Sequence, residues 1–162
     1  MDIYQMSRMT ARSFLKKTSN EVPFNIYLGL SYLDTDLVYK FFDSIGALLV
    51  FNERKRLIIV NLNYDVVFQR FFVAHEIGHI LLGHQETSFC RVEKNKQPYE
   101  EKLADICARE LLIPTHYLKI LAKDCGYNVR ILKDIFQVSE LDIVIKLRNL
   151  GLPYWNSVYR NF

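Results

Sequence analysis

Apolar residues recur at helical spacing among charged ones from about Tyr4 to Lys17, which predicts a first helix. After Pro23 the pattern favours neither helix nor strand. Asp34-Thr35-Asp36 then offers an N-cap for a helix carrying Leu37, Val38, Phe41 and Phe42 and ending near Gly46. Two short β-branched-rich runs follow, "ALLVF" from Ala47 and "RLIIVNL" from Arg56. They flank Asn52-Glu53-Arg54-Lys55 and read as a β-hairpin. Asp65 is placed to cap a helix that Gly83 would stop. Residues 85–97 are polar and read as a loop. Pro98 suits the first turn of a further helix that reaches Leu112 before Pro114. Three short helices complete the chain, near 115–124, 128–136 and 140–149. The expected class is α+β, mostly helical. It is one domain over 1–162, divided into N-terminal helices (1–46), hairpin and site helices (47–114) and a helical C-terminal part (115–162).

A chain of 162 residues can bury a substantial core, and half of its residues are hydrophobic. A formal charge of +3 is too small to argue for nucleic-acid binding. The three cysteines, Cys90, Cys107 and Cys125, are odd in number and contain no C-x-x-C pair. That argues against a disulfide scaffold and a thiolate metal site, and for a reducing compartment. The first residues lack an apolar signal region and no run is long enough to span a membrane, so a cytoplasmic location is expected.

The chemistry concentrates in "FVAHEIGHILLGH", residues 72–84. His75-Glu76-Ile77-Gly78-His79 is H-E-x-x-H, and residues four apart lie one turn apart on one face of a helix. Both imidazoles can then address one zinc ion, with Glu76 beside it as general base towards a water whose pKa the metal lowers. Random order in a chain of this composition gives the pattern about once in two hundred. The alternative is a pair of core histidines with Glu76 in a salt bridge. That alternative would bury three polar groups among Phe72, Val73, Ile80, Leu81 and Leu82, at several kcal/mol if unpaired.

A third ligand is required. His84 falls half a turn out of phase with the pair and reads as a helix-end surface residue, as does His116. In "YEEKLADICARELLIP", Glu101, Ala104, Asp105 and Ala108 form one helical stripe. The two alanines would let this helix approach the motif helix closely. Glu101 could then reach the metal, and Asp105 could accept a hydrogen bond from the outer N–H of a ligand histidine. Taken alone, the two carboxylates could equally form a solvated acidic face. Cys107 points off the stripe and reads as core, with Leu103, Ile106, Leu111 and Leu112 on neighbouring faces.

These segments resemble a known family. "QRFFVAHEIGHILLGH", "EKLADICARELLIP" and "FQVSELDIVIKLRNLGL" are similar to three signatures of the ImmA/IrrE zinc metallopeptidases, over about Ala47 to Leu152. Phe72, Leu103 and Cys107 depart from the usual residues, and none of them is a proposed ligand. The resemblance implies a zincin-like, gluzincin-type core with a short sheet before the H-E-x-x-H helix. It implies Zn2+ held by His75, His79 and Glu101 (Glu100 as the fallback), Glu76 as general base and a helix-turn-helix repressor as substrate, so that the protein acts as an antirepressor. A substrate strand is expected along the edge of the hairpin. Tyr99, Arg91, His116 and Tyr154 are the candidates for the second electrophile. Residues 128–151 could be a DNA-touching helix-turn-helix using Lys133, Lys146 and Arg148. The weak basicity favours a packing or repressor-recognising role instead, and direct DNA binding is not expected. A third reading is a zinc-bound regulator that binds without cutting; the intact Glu76 favours the enzyme.

Overall fold

The computed structural model describes residues 2–19, 21–52, 55–84, 88–91 and 99–155. Helix α1 (Ile3–Lys17) opens on Asp2, whose carboxylate accepts from the Tyr4 N–H. It buries Ser7, Ala11, Phe14 and Leu15, one helical stripe. A short α2 (Ile26–Tyr32), capped by Asn25, resolves the ambiguous stretch after Pro23.

The helix expected from Asp34 is instead a strand, β1 (Thr35–Lys40). Asp34 adopts φ 48°, a left-handed conformation that aspartate tolerates, and so turns the chain out of α2 rather than into a new helix. Hence 1–46 is not purely helical. Leu37, Val38 and Tyr39 pair in parallel with Ile58, Ile59 and Val60 of β3 (Lys55–Asn61). The hairpin forms as expected: β2 (Ile45–Asn52) runs antiparallel to β3. Part of the expected loop at 85–97 is also a strand, β4 (Ser88–Arg91), paired antiparallel with β2. The remaining residues of that loop, and Pro98, lie outside the described residues.

The sheet order is β1-β3-β2-β4. β1 and β4 are the outer strands, and among the described residues β4 covers the outer side of β2 over Ile45–Leu49, so part of the expected hairpin edge is paired.

Helix α3 (Val66–Leu82) lies across this sheet. It starts after Asp65, which makes no side-chain capping bond, and ends at Gly83 with φ 77°. At Gly46 a Cβ would come within 2.4 Å of the Phe72 ring, so glycine lets α3 settle on β2 beside a register shift in that strand. Helix α4 (Tyr99–Leu112) packs on α3, and α1 packs on α4. The Ser7 hydroxyl donates to the Leu103 carbonyl at 2.7 Å and pins this outer pair.

Helices α5 (Thr115–Asp124), α6 (Val129–Phe136) and α7 (Glu140–Asn149) follow as expected. Ser139 caps α7 by accepting from the Asp142 N–H at 3.1 Å. Lys146, one of the charges named for a DNA-touching helix-turn-helix, is buried at 6% exposure, its ammonium on the buried Glu110 of α4. Ile106 is only partly buried and lines a cleft rather than the core. One hydrophobic cluster connects α1, the sheet, α3, α4 and the C-terminal helices, from Ala11 to Leu147.

Candidate metal centre

The motif helix is apolar almost all round, and residues 72–79 are all buried. A helix can sink this far only if its polar side chains find partners inside. Both histidines find partners on α4, and His79 a further one just beyond its own helix. Gly78 makes the approach close enough: a Cβ there would sit 2.9 Å from the Ala104 carbonyl oxygen and 3.2 Å from its Cα. The alanine stripe read from the sequence thus meets a glycine on the facing helix. Cys107 is fully buried against the same crossing, as expected of a core residue.

Across this seam three donor groups converge. The Nε2 atoms of His75 and His79 lie 3.1 Å apart. Glu101 reaches both, with Oε2 at 3.1 Å from His75 Nε2 and Oε1 at 3.2 Å from His79 Nε2. All three ligand atoms fall within 4.8 Å of one another. Glu100, the fallback, is exposed. Glu76 is fully buried next to His75 on the same helix.

The outer nitrogens are held as well. Asp105 Oδ1 accepts from His75 Nδ1 at 2.9 Å, which leaves the Nε2 lone pair for the cluster. Arg109 in turn lies 3.6 Å from the other Asp105 oxygen and donates to Asp142 of α7 at 3.0 Å.

His84 corrects the sequence reading. Its Nδ1 is 2.8 Å from His79 Nδ1. Helical phase does not apply beyond Gly83, because the left-handed residue folds the chain back over the last turn and brings His84 onto His79. With His79 presenting Nε2 to the cluster, its Nδ1–H donates to His84.

The electrostatics show a site that needs positive charge. Burial alone would lower the His75 pKa, yet hydrogen bonds to Asp105 and Glu101 and the nearby Glu76 charge push it up to about 9. Burial would raise Glu101, but its bonds to the two histidines hold it down to about 2. His84 is lowered by burial and by neighbouring His79. The cluster accepts either a proton on His75 or a cation between the three groups.

The donor set fits zinc. Tetrahedral bonds of about 2.0–2.1 Å place ligand atoms about 3.3 Å apart, and the three observed separations are 3.1, 3.1 and 3.2 Å. Two neutral imidazoles with one carboxylate also leave a fourth position for water, the usual arrangement of a hydrolytic centre.

Three of the candidates for a second electrophile have described contacts. Tyr99 packs on the Tyr4 ring, His116 on the Tyr117 ring, and the Tyr154 hydroxyl accepts from Arg148 at 3.0 Å. The Arg91 side chain lies outside the described residues. Sequence reasoning missed Gly78 as the crossing point, although a glycine between the two motif histidines was a visible signal. It also missed Arg109, whose role depends on contacts distant in the chain.

No helix among the described residues is long and apolar enough to cross a membrane. No curated protein matches the chain. A family model, that of the IrrE N-terminal-like domain, matches residues 31–148, a span that contains all three donor residues together with Glu76 and Asp105. The chain belongs to that family, the M78 metallopeptidases.

Proposed function

We propose that this protein is a zinc-dependent endopeptidase in which His75, His79 and Glu101 hold the metal and Glu76 is the general base. The observation that carries this reading is the convergence of two imidazole nitrogens and a carboxylate at tetrahedral spacing, with Glu76 buried one residue from the first ligand. When bound, zinc polarises the scissile carbonyl and brings the pKa of the attacking water towards neutrality. Glu76 removes the proton from that water and delivers it to the leaving amine. Asp105 keeps His75 in the tautomer that offers Nε2 inward, and His84 does the same for His79.

We assign the substrate backbone to the outer side of β4, an outer strand that packs against α3, as an added strand. The resemblance to the ImmA/IrrE peptidases supports a cytoplasmic helix-turn-helix repressor as the substrate and derepression as the outcome. Replacing Glu76→Gln tests the enzyme reading. The variant should retain one zinc per chain and lose cleavage of a cognate repressor by about 10²–10⁴-fold; cleavage at the wild-type rate would end the proposal.

A further inference from the structure

A second polar site, lined by none of His75, His79 and Glu101, lies where α1, α4 and α7 meet. An open cleft of about 340 Å³, within the size range of ligand pockets, carries four cations: Arg8, Arg12, Arg109 and Lys146. The local carboxylates do not balance them. Glu110 takes both Lys146 and the Arg12 Nε at 2.8 Å, and Asp142 takes Arg109. Glu110 also accepts from the Thr115 N–H and hydroxyl, at 3.2 and 2.8 Å, so its acceptor positions are filled. Among the described residues Arg8 makes no ion pair and no side-chain hydrogen bond, although it faces the same cleft. The Arg12 side chain stays half exposed, and Glu110 meets it at Nε.

We propose that this cleft binds the phosphate group of a small phosphorylated molecule, held by the guanidinium groups of Arg8 and Arg12 over the buried Lys146–Glu110 pair. Guanidinium forks match the spacing of phosphate oxygens, and two of them side by side suit a dianion better than a single carboxylate. The excess of positive charge is felt within the cleft itself. Burial lowers the Lys146 pKa, Glu110 opposes this, and Arg8 and Arg12 act in the same direction as burial. Met9 and Leu150 supply apolar wall against which an organic moiety can lie, so an organic phosphate is expected over inorganic phosphate. The site is built on a helix outside the family-matched residues 31–148, since Arg8, Met9 and Arg12 all belong to α1.

The test is calorimetric titration of the full chain with ADP, pyrophosphate and adenosine in about 0.15 M salt, where weak surface attraction is screened. ADP should bind saturably, one per chain, and adenosine should not. Arg8→Glu should weaken ADP binding at least tenfold, and Asn149→Asp, which adds a carboxylate to the rim, should weaken it in the same direction. Lys119→Glu, an equal charge change at an exposed position on α5, should leave it within twofold. Pyrophosphate binding as tightly as ADP would support the phosphate site and name an inorganic source. Absent saturable binding, ADP affinity unchanged by Arg8→Glu, or equal losses with Lys119→Glu would each overturn the proposal. None of these readouts depends on peptidase activity, so the two proposals fail separately.

Discussion

Gly78 of α3 lies against Ala104 of α4 so closely that a methyl group added to the glycine would stand 2.9 Å from the Ala104 carbonyl oxygen. The obstacle is backbone, which cannot swing aside as a side-chain tip can. Alanine in a helix is favoured over glycine by about 1 kcal/mol. Overpacking typically costs about 1–3 kcal/mol, and here it also parts the two helices that carry His75, His79 and Glu101. Gly78→Ala should therefore lower the melting temperature and weaken zinc binding together. A variant more stable than wild type, with unchanged zinc affinity, would show that the crossing can relax.

Asp105 stands outside the convergent trio of His75, His79 and Glu101 and holds His75 at Nδ1. Asp105→Asn keeps the shape and an acceptor oxygen but removes the charge that makes the imidazole more basic. Zinc affinity, read by competition with a chromogenic chelator, should fall about tenfold, the low end for such outer partners. A loss of several orders of magnitude would mean that Asp105 is itself a ligand.

Zinc binding should depend on pH through His75. Its pKa is raised from 6.5 to about 9 in the metal-free chain, so the metal must displace a proton at neutral pH. Apparent affinity should rise between about pH 6.5 and 9, with close to one proton released per zinc at pH 7. The metal-free fold should respond oppositely. The raised histidine stabilises fully below 6.5 and loses that contribution as pH climbs through about 9. Glu101, lowered from 4.5 to about 2, contributes above 4.5 and loses its share as pH falls towards 2. The melting temperature of the metal-free chain should thus be highest between those limits. A flat profile from pH 5 to 9 would refute the assignment.

The buried pair of Glu110 and Lys146 ties α7 to α4. Glu110→Gln leaves the ammonium buried without its charge partner and should cost about 3–5 kcal/mol in denaturant unfolding. Lys146→Met should cost less, because Arg12 and Thr115 still serve Glu110. The double variant should be more stable than the Glu110→Gln single. Strict additivity of the two changes would show that the pair is not coupled.

Much of this was legible in the sequence because it is local. The 3.6-residue period found α1, α3, α4 and the three C-terminal helices, and the i, i+4 rule put His75 and His79 on one face. The stripe of Glu101 and Asp105 is local too, and the same periodicity anticipated its place against the motif. What escaped is non-local. β1 exists because β3 offers it a parallel partner, and its capping residues alone suggest a helix. β4 exists because β2 has a second side to cover. Lys146 reads as a charge available to DNA until Glu110 is seen beside it, and His84 reads as surface until the reversal at Gly83 is known.

Helix α1 precedes the family-matched residues, yet its Ser7 caps a carbonyl on α4 and its Arg12 shares Glu110. The folding unit is therefore wider than the family signature. A recombinant fragment trimmed to the boundaries of that signature would strip one wall from the helix that carries Glu101, and its failure to cut a substrate would say nothing about the intact chain.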